Sequence, residues 1–324
     1  MIIKEVKINR SFLLLKEEVV IVTDEGNINL DKSFGKEVDL INKKLKDFKI
    51  ESSEDFSKLK QALKNLNQDS YKKLELTLFN NIKNSWRFFN PAAVQIPRPI
   101  YTVLKKDSGI REFVVFSLNA NNFDTVLSVG RRVKDFLNKK IDNVSKFSEE
   151  EIIMLIKEGI DIESENIDFE LRIGVIFNNF NDQNYNSDKQ FEFASKLIEK
   201  YSVAYVENIF SETDLDNYSK LNEKFKIRSL ICLNSQIGEY TKGLNKKAFN
   251  SVVIKFEDIS SFKTDVLFLK DHEVNIIAEP SADIMSMIVG LGIPLIKLAD
   301  DNSSEQSIKK IKNIAQEIIK FKKQ

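Results

Sequence analysis

The chain has 324 residues, which is enough for one large domain and a smaller one. Its 49 basic and 49 acidic side chains give a formal net charge of zero, which argues against a dedicated nucleic-acid binder, because such proteins usually carry a basic excess. No apolar run approaches the roughly 20 residues of a membrane span. Residues 1–18 interleave charged and apolar side chains, unlike a signal peptide. We therefore expect a globular protein that binds neither a membrane nor nucleic acid.

The chain has one cysteine and one histidine, and neither lies in a recognisable ligand motif. Cys232 lies inside an apolar run, so we expect a buried small hydrophobic side chain in the reducing cytoplasm. His272 lies in a polar connection and is interpreted as a surface residue. These two residues predict no disulfide and give only weak support to a metal site.

Residues 1–92 predict a small α+β domain. Two strand-like runs, 2–8 and 19–24, come first. Lysine-rich helical segments follow at about 36–48, 54–66 and 69–89. The stretch 89–99 holds three of the five prolines of the chain and indicates a boundary, with the second domain at 93–324.

The second domain begins with two strand candidates that lie close together. These strands, 100–104 and 111–118, are separated by 105–109, which is short enough for a hairpin turn. Helical segments follow at 124–140 and 148–160. Ser148, followed by three glutamates, is a typical start of a helix.

Six apolar runs, separated by polar helical segments, occupy the rest of the chain. Runs that are apolar on both faces and alternate with helices are typical of buried parallel strands. Two strands plus six make eight, the number that closes a barrel filled by its own side chains. The predicted class is α/β, a ββαα(βα)6 barrel of the TIM type after the small domain. The six runs are 171–177, 203–207, 228–233, 251–255, 274–279 and 294–298.

Charged side chains end several of these runs, namely Glu207, Lys255, Glu279 and Lys297. In closed barrels of parallel strands, the residues at the carboxyl ends of the strands face the active site. The sequence therefore predicts a site with charges of both signs at the mouth of the barrel.

Seven segments in the expected order resemble the enolases. They include IIKEVK, IPRPIYTVL and IREFVVF, and they lie at 2–7, 34–45, 96–104, 110–116, 201–225, 250–262 and 290–300. The resemblance implies a small α+β domain, a barrel whose first two strands are antiparallel, and a homodimer. It also implies a magnesium-dependent lyase that converts 2-phosphoglycerate to phosphoenolpyruvate.

The resemblance assigns roles to four residues. Lys255 matches the lysine that removes the proton, and Lys297 matches the second lysine, which contacts the region of the substrate carboxylate. Glu112 matches the glutamate of a Gln-Glu-Phe motif. Glu207 matches one of three carboxylates that bind the metal ion.

Other parts of the enolase pattern have no counterpart. Ile176 stands where the first metal aspartate is expected, and Leu233 and Asn234 stand where the third is expected. Leucine cannot bind a metal, and a neutral amide replaces a carboxylate poorly on a hard cation. Glu279 and the two residues after it replace a His-Arg-Ser motif, so the phosphate-binding arginine is missing. Three catalytic loops of the family have no match at 25–33, 105–109 and 141–151.

Two hypotheses from different classes follow. The first is an enolase-like pseudoenzyme that has lost phosphopyruvate hydratase activity, binds no cofactor tightly and acts through a protein partner or as a scaffold. In that case Lys255 and Lys297 pair with Glu207 and Glu112 inside the mouth, because buried charges require partners. A metal site rebuilt from Glu207 and Glu279 is opposed by the neighbouring lysines.

The second hypothesis is an active lyase. It would either convert 2-phosphoglycerate with Mg²⁺ or use Lys255 and Lys297 as an acid/base pair on another small carboxylic acid or phosphate ester.

Overall fold

The computed structural model describes most of the chain as a mixed α/β protein. The described ranges are 1–11, 16–30, 32–89, 94–106, 111–177, 186–234, 237–299 and 301–322. None of the helices in this part of the chain combines the length and the apolar character needed to cross a bilayer.

The first unit is a small antiparallel sheet with helices. Its strands are β1 (Ile3–Ser11), β2 (Lys16–Thr23) and β3 (Asn27–Leu30), in the order β1-β2-β3. Its helices are α1 (Val38–Leu45), α2 (Glu54–Ala62) and α3 (Gln68–Asn80). We refer to these elements as the small unit.

Two details of the small unit differ from the prediction. Strand β3 lies in 25–33, where the sequence predicted no strand, and it alternates exposed and buried residues against β2. The helix predicted at 69–89 ends at Asn80. Asn84 has a φ of 55°, which a continuing helix does not allow, and a short 3₁₀ helix, Ser85–Phe88, follows it. The boundary predicted between residues 92 and 93 lies outside the described residues.

The second unit is a closed barrel of eight strands, and its element order is the ββαα(βα)6 order expected from the sequence. The strands are β4 (Arg98–Lys106), β5 (Arg111–Phe116), β6 (Arg172–Phe177), β7 (Tyr205–Glu207), β8 (Leu230–Leu233), β9 (Ser251–Ile254), β10 (Asn275–Ala278) and β11 (Leu295–Leu298). Around the barrel they follow the order β10-β11-β4-β5-β6-β7-β8-β9.

Strand direction follows the predicted pattern as well. Strand β5 runs antiparallel to both β4 and β6, and the other barrel neighbours pair in parallel. Lys106 lies opposite Arg111 in the β4–β5 pair, and the turn predicted between these strands lies largely outside the described residues.

Helices surround the barrel and connect its strands. They are α4 (Phe123–Lys140), α5 (Glu149–Ser164), α6 (Ser187–Tyr201), α7 (Leu215–Phe225), α8 (Ile237–Asn245), α9 (Ile259–Asp271), α10 (Met285–Gly290) and α11 (Asn302–Lys322). The predicted start of α5 is confirmed by a capping box. The Ser148 hydroxyl accepts from the Glu151 amide at 3.2 Å, and the Glu151 carboxylate accepts from the Ser148 amide at 2.7 Å.

Alternate residues of the strands fill the inside of the barrel. One cluster of buried side chains includes Ile100, Val114, Phe116, Ile176, Tyr205, Cys232, Val253, Ile277 and Leu295. Because side chains along a strand alternate between faces, the residues two positions further along each strand point to the same interior. The mouth of the barrel is therefore built by the residues that lie two positions after these buried side chains.

The predicted positions of the two single residues, one buried and one at the surface, are confirmed. Cys232 is buried within the barrel, and burial raises the pKa of its thiol, which makes it a poor nucleophile. His272 is exposed after α9, where its Nδ1 lies 2.8 Å from the Phe268 carbonyl oxygen.

Gly174 provides a test of the packing inside the barrel. A Cβ at Gly174 would lie 2.7 Å from the Cβ of Tyr205 and 2.8 Å from Cγ2 of Val114. We predict that Gly174→Ala lowers the free energy of unfolding by about 1–3 kcal/mol through overpacking, measured by urea denaturation. The control is Gly35→Ala, since a Cβ there meets nothing within 4 Å. Equal stability of the two variants would contradict the described packing.

Candidate functional site at the barrel mouth

Strand pairing places the predicted site residues around one opening. Glu112 lies opposite Ile176 in the β5–β6 pair, and Ile176 lies beside Glu207 in the β6–β7 pair. These three residues form one row across neighbouring strands. Lys297, in β11, pairs with Ile100 of β4 and faces the same interior.

Glu207 is the centre of the site, because its carboxylate is fully buried and fully hydrogen-bonded. The Lys297 Nζ lies 3.0 Å from Oε1 and 3.1 Å from Oε2. The Asn234 side-chain amide donates to Oε1 at 2.9 Å, and the Tyr205 hydroxyl donates to Oε2. The side chain of Glu207 is 0% exposed, so these groups replace water completely.

Lys297 stays protonated in this arrangement. Burial lowers the pKa of its ammonium group, but attraction and hydrogen bonding to Glu207 outweigh burial, so the pKa lies above its ordinary value. Glu279, after β10, contributes to the same rise. A lysine with a raised pKa stays an ammonium group near neutral pH and has no free electron pair to accept a proton. A general base works best when its pKa lies near the working pH.

The sequence prediction did not identify two hydrogen-bond donors of this network, Tyr205 and Asn234. Tyr205 lies two positions before Glu207 on β7, so a strand places both side chains on the same face, and this spacing could have indicated the contact. Burial, above all, raises the pKa of the Tyr205 hydroxyl, which therefore remains a donor to Glu207. Asn234, which the sequence identified only as a poor metal ligand, binds the same carboxylate.

Glu112 has partners of its own on the neighbouring strand. The Lys105 Nζ lies 3.3 Å from Oε1 of Glu112, and Thr102 donates to Oε2 at 3.3 Å. Lys105 and Glu112 face each other directly in the antiparallel β4–β5 ladder. Such cross-strand pairs form locally, so Glu112 has a cation that the sequence prediction did not consider.

Lys255 lies at the rim and takes no part in the pairing. It follows the last residue of β9, Ile254, and its side chain is exposed. Within the described ranges it forms no side-chain hydrogen bond or ion pair. The predicted Lys297–Glu207 pair is thus observed, whereas the predicted pairing of Lys255 was wrong, because its position beyond the strand leaves its ammonium group in solvent.

The described side chains at the mouth do not fit a magnesium ion as they are arranged. Magnesium requires about six oxygen ligands in octahedral geometry. Glu207 already accepts from the ammonium group of Lys297, and Ile176 places an apolar, 1% exposed side chain beside it. Within the described ranges, no three or more His, Cys, Asp or Glu side chains are grouped closely enough to hold a metal ion.

A closed barrel with charged residues at its strand ends, preceded by a small antiparallel sheet, defines the class as a TIM-type barrel protein. Curated enolases match this chain at low identity, and no family model matches it. The enolase of Picrophilus torridus is 24% identical over 258 residues, which cover 65% of this chain and 64% of that enzyme. The enolase of Thermoplasma acidophilum is 23% identical over 210 residues, covering 54% of this chain and 52% of the relative.

A shorter match is closer in sequence. The enolase of Pyrobaculum aerophilum is 44% identical over 43 residues, which cover 13% of this chain and 10% of that enzyme. The chain thus spans less than two thirds of the length of the curated relatives it matches. These matches identify the chain as a divergent enolase-like protein.

The pair of Lys297 and Glu207 can be tested by removing one partner. We predict that Lys297→Met lowers the free energy of unfolding by about 3 kcal/mol, because it leaves a buried carboxylate without its cation. Lys255→Met should change stability by less than about 0.5 kcal/mol, since Lys255 is exposed. Urea denaturation of both variants measures the difference. Equal losses in both variants would contradict the observed pairing.

Proposed function

We propose that this chain is a cytoplasmic enolase-like protein that has lost phosphopyruvate hydratase activity and acts by binding a protein partner, in the form of a homodimer or with another chain. The observation that supports this proposal most strongly is that both oxygens of the Glu207 carboxylate already accept hydrogen bonds from protein groups. Its oxygens accept from Lys297, Asn234 and Tyr205, so the metal position implied by the resemblance is occupied by an internal cation.

The chemistry of dehydration explains why this matters. Removing a proton next to a carboxylate creates an enolate with two negative charges, and metal ions in the related enzymes absorb that charge. A magnesium ion at Glu207 would have to displace the ammonium group of Lys297, which lies 3.0 Å from Oε1. The displaced lysine would then repel the ion at short range.

The phosphate end of such a substrate meets a further obstacle. Glu279, which replaces part of the His-Arg-Ser motif, is a half-buried carboxylate directly after β10. A carboxylate and a phosphate repel each other by several kcal/mol at short range in a low-dielectric pocket. The mouth therefore disfavours the phosphate group of 2-phosphoglycerate.

The two lysines also support this proposal over an acid/base lyase. Lys297 has a raised pKa and a buried partner, so it does not supply a base. Lys255 is exposed at the rim and has no side-chain hydrogen bond or ion pair within the described ranges, whereas an activated nucleophile or base usually has a partner that orients it. What remains intact is the barrel itself, and a preserved barrel without the reactive centre is suited to a role carried by its surface.

The assay follows the ultraviolet absorbance of phosphoenolpyruvate, with purified chain, 2-phosphoglycerate and excess Mg²⁺, beside an active enolase as positive control. We predict turnover at least about 10⁴-fold below the active enzyme, because the loss of metal binding removes most of the transition-state stabilisation. Turnover that disappears in Lys255→Met would overturn the proposal. Residual turnover unchanged by that substitution would identify a contaminant.

A calorimetric titration with Mg²⁺ tests the carboxylate directly. We expect no saturable heat in the wild-type chain. Saturable binding that is lost in Glu207→Gln would contradict the proposal, because it would show that the carboxylate still serves as a ligand.

A further inference from the structure

A second fully buried carboxylic acid lies at the junction between the small unit and the barrel. Glu75, in α3, is 0% exposed. Its Oε1 lies 2.6 Å from the Tyr71 hydroxyl, and its Oε2 accepts from the backbone amide of Ile259 at 3.1 Å. Ile259 is the first residue of α9 in the barrel unit. One carboxyl group therefore bridges the two units.

The charged groups near Glu75 do not neutralise it. Lys60, in α2, points its ammonium group at Asp258, 2.7 Å away, and not at Glu75. Asp258, the N-cap of α9, adds a negative charge near Glu75. Within the described residues, no lysine or arginine forms an ion pair with Glu75. A buried carboxylate without a cation is unfavourable, so the group tends to keep its proton.

Burial is the largest effect on the acidity of Glu75, and it raises the pKa to about 7. The hydrogen bonds from Tyr71 and from the Ile259 amide lower the pKa, as does the charge of Lys60, whereas Asp258 raises it. Glu75 is therefore mostly protonated below about pH 7.

The hydrogen bonds can also satisfy the neutral form, although they favour the ionised one. The Tyr71 hydroxyl lies 3.3 Å from the carbonyl oxygen of Phe56 as well as 2.6 Å from Glu75. A protonated Glu75 donates to the Tyr71 oxygen, Tyr71 donates to the Phe56 carbonyl, and Oε2 accepts from the Ile259 amide. Every group in this chain of hydrogen bonds then has a partner. An ionised Glu75 accepts the hydrogen bond of the Tyr71 hydroxyl, and the Phe56 carbonyl then loses this donor.

We propose that Glu75 is a proton-dependent latch between the small unit and the barrel. In its protonated form Glu75 stays buried between α3 and the start of α9, and in its ionised form its uncompensated charge favours opening of this junction to water. The same junction includes a hydrogen bond between the hydroxyls of Ser57 and Ser260 at 2.8 Å, and one from Lys72 to the Phe256 carbonyl at 3.3 Å. The segment 255–259, which begins with Lys255, therefore becomes more mobile when Glu75 loses its proton.

The sign of the pH dependence follows from the two states. The ordinary pKa of a glutamate is 4.5, and folding raises that of Glu75 to about 7. The stabilisation from the bound proton is complete below about pH 4.5 and is lost as the pH rises through about 7. The latch is therefore closed in mildly acidic solution and weakened in mildly alkaline solution.

The decisive variant is Glu75→Gln, which keeps a neutral amide of the same shape. We expect the melting temperature of the wild-type chain to fall by about 5 °C more than that of Glu75→Gln between about pH 5 and about pH 8. The control is Glu54→Gln, because Lys263 lowers the pKa of Glu54 to about 2, outside this range. An identical pH dependence in the wild type and Glu75→Gln would overturn the proposal.

Hydrogen exchange locates the effect at the junction. At about pH 8, we expect amides of 256–262 to exchange at least about tenfold faster in the wild type than in Glu75→Gln, with equal rates in β1 and β2. Equal exchange in 256–262 would contradict the latch, even if the overall stability differed.

Infrared spectroscopy keeps the proposal testable if Glu75→Gln fails to fold. We expect the carbonyl band of a protonated carboxylic acid to be present at about pH 6 and lost by about pH 8. The measurement uses an Asp265→Asn background, because burial and the nearby Glu257 and Asp258 raise the pKa of Asp265 to about 6. A folded Asp265→Asn protein without this band at pH 6 would overturn the proposal.

Discussion

The ion pair between Lys297 and Glu207 is the constraint on which the mouth of the barrel depends. Strands β7 and β11 are separated by three strands on either side, so the pair joins opposite walls of the barrel. The carboxylate of Glu207 is fully buried and the Lys297 side chain is 21% exposed, and a buried carboxylate is tolerable only with such a partner. The pair keeps Lys297 protonated and fills the acceptor positions of Glu207, and so it governs which chemistry the mouth can support.

Much of the fold could be predicted because its pattern is repeated. Runs that are apolar on both faces recur at regular distances, and this period determines parallel strands between helices without any knowledge of tertiary contacts. The elements that escaped prediction are local. Strand β3 has four residues and is formed by pairing with β2, and the end of α3 depends on the left-handed conformation of Asn84. Tertiary pairing and single backbone angles leave little trace in composition.

The site could be predicted only in part. The strand ends located Glu207 and Lys297 correctly, because alternation along a strand determines which residues face inward. Which of the charged residues Glu112, Glu207, Lys255 and Lys297 pair with each other could not be predicted. Their pairing depends on strand register and on where each strand ends. Register gives Glu112 a partner in Lys105, and the end of β9 at Ile254 leaves Lys255 in solvent. Neither detail can be read from residue type.

The distance along the chain between the two partners also affects biosynthesis. Glu207 and Lys297 are 90 residues apart, and Lys297 belongs to the last strand. A nascent chain that has released β7 but not β11 from the ribosome cannot bury Glu207 without stranding its charge. Burial of Glu207 with its charge balanced therefore requires β11, so closure of the barrel is a late step in the folding of a nascent chain.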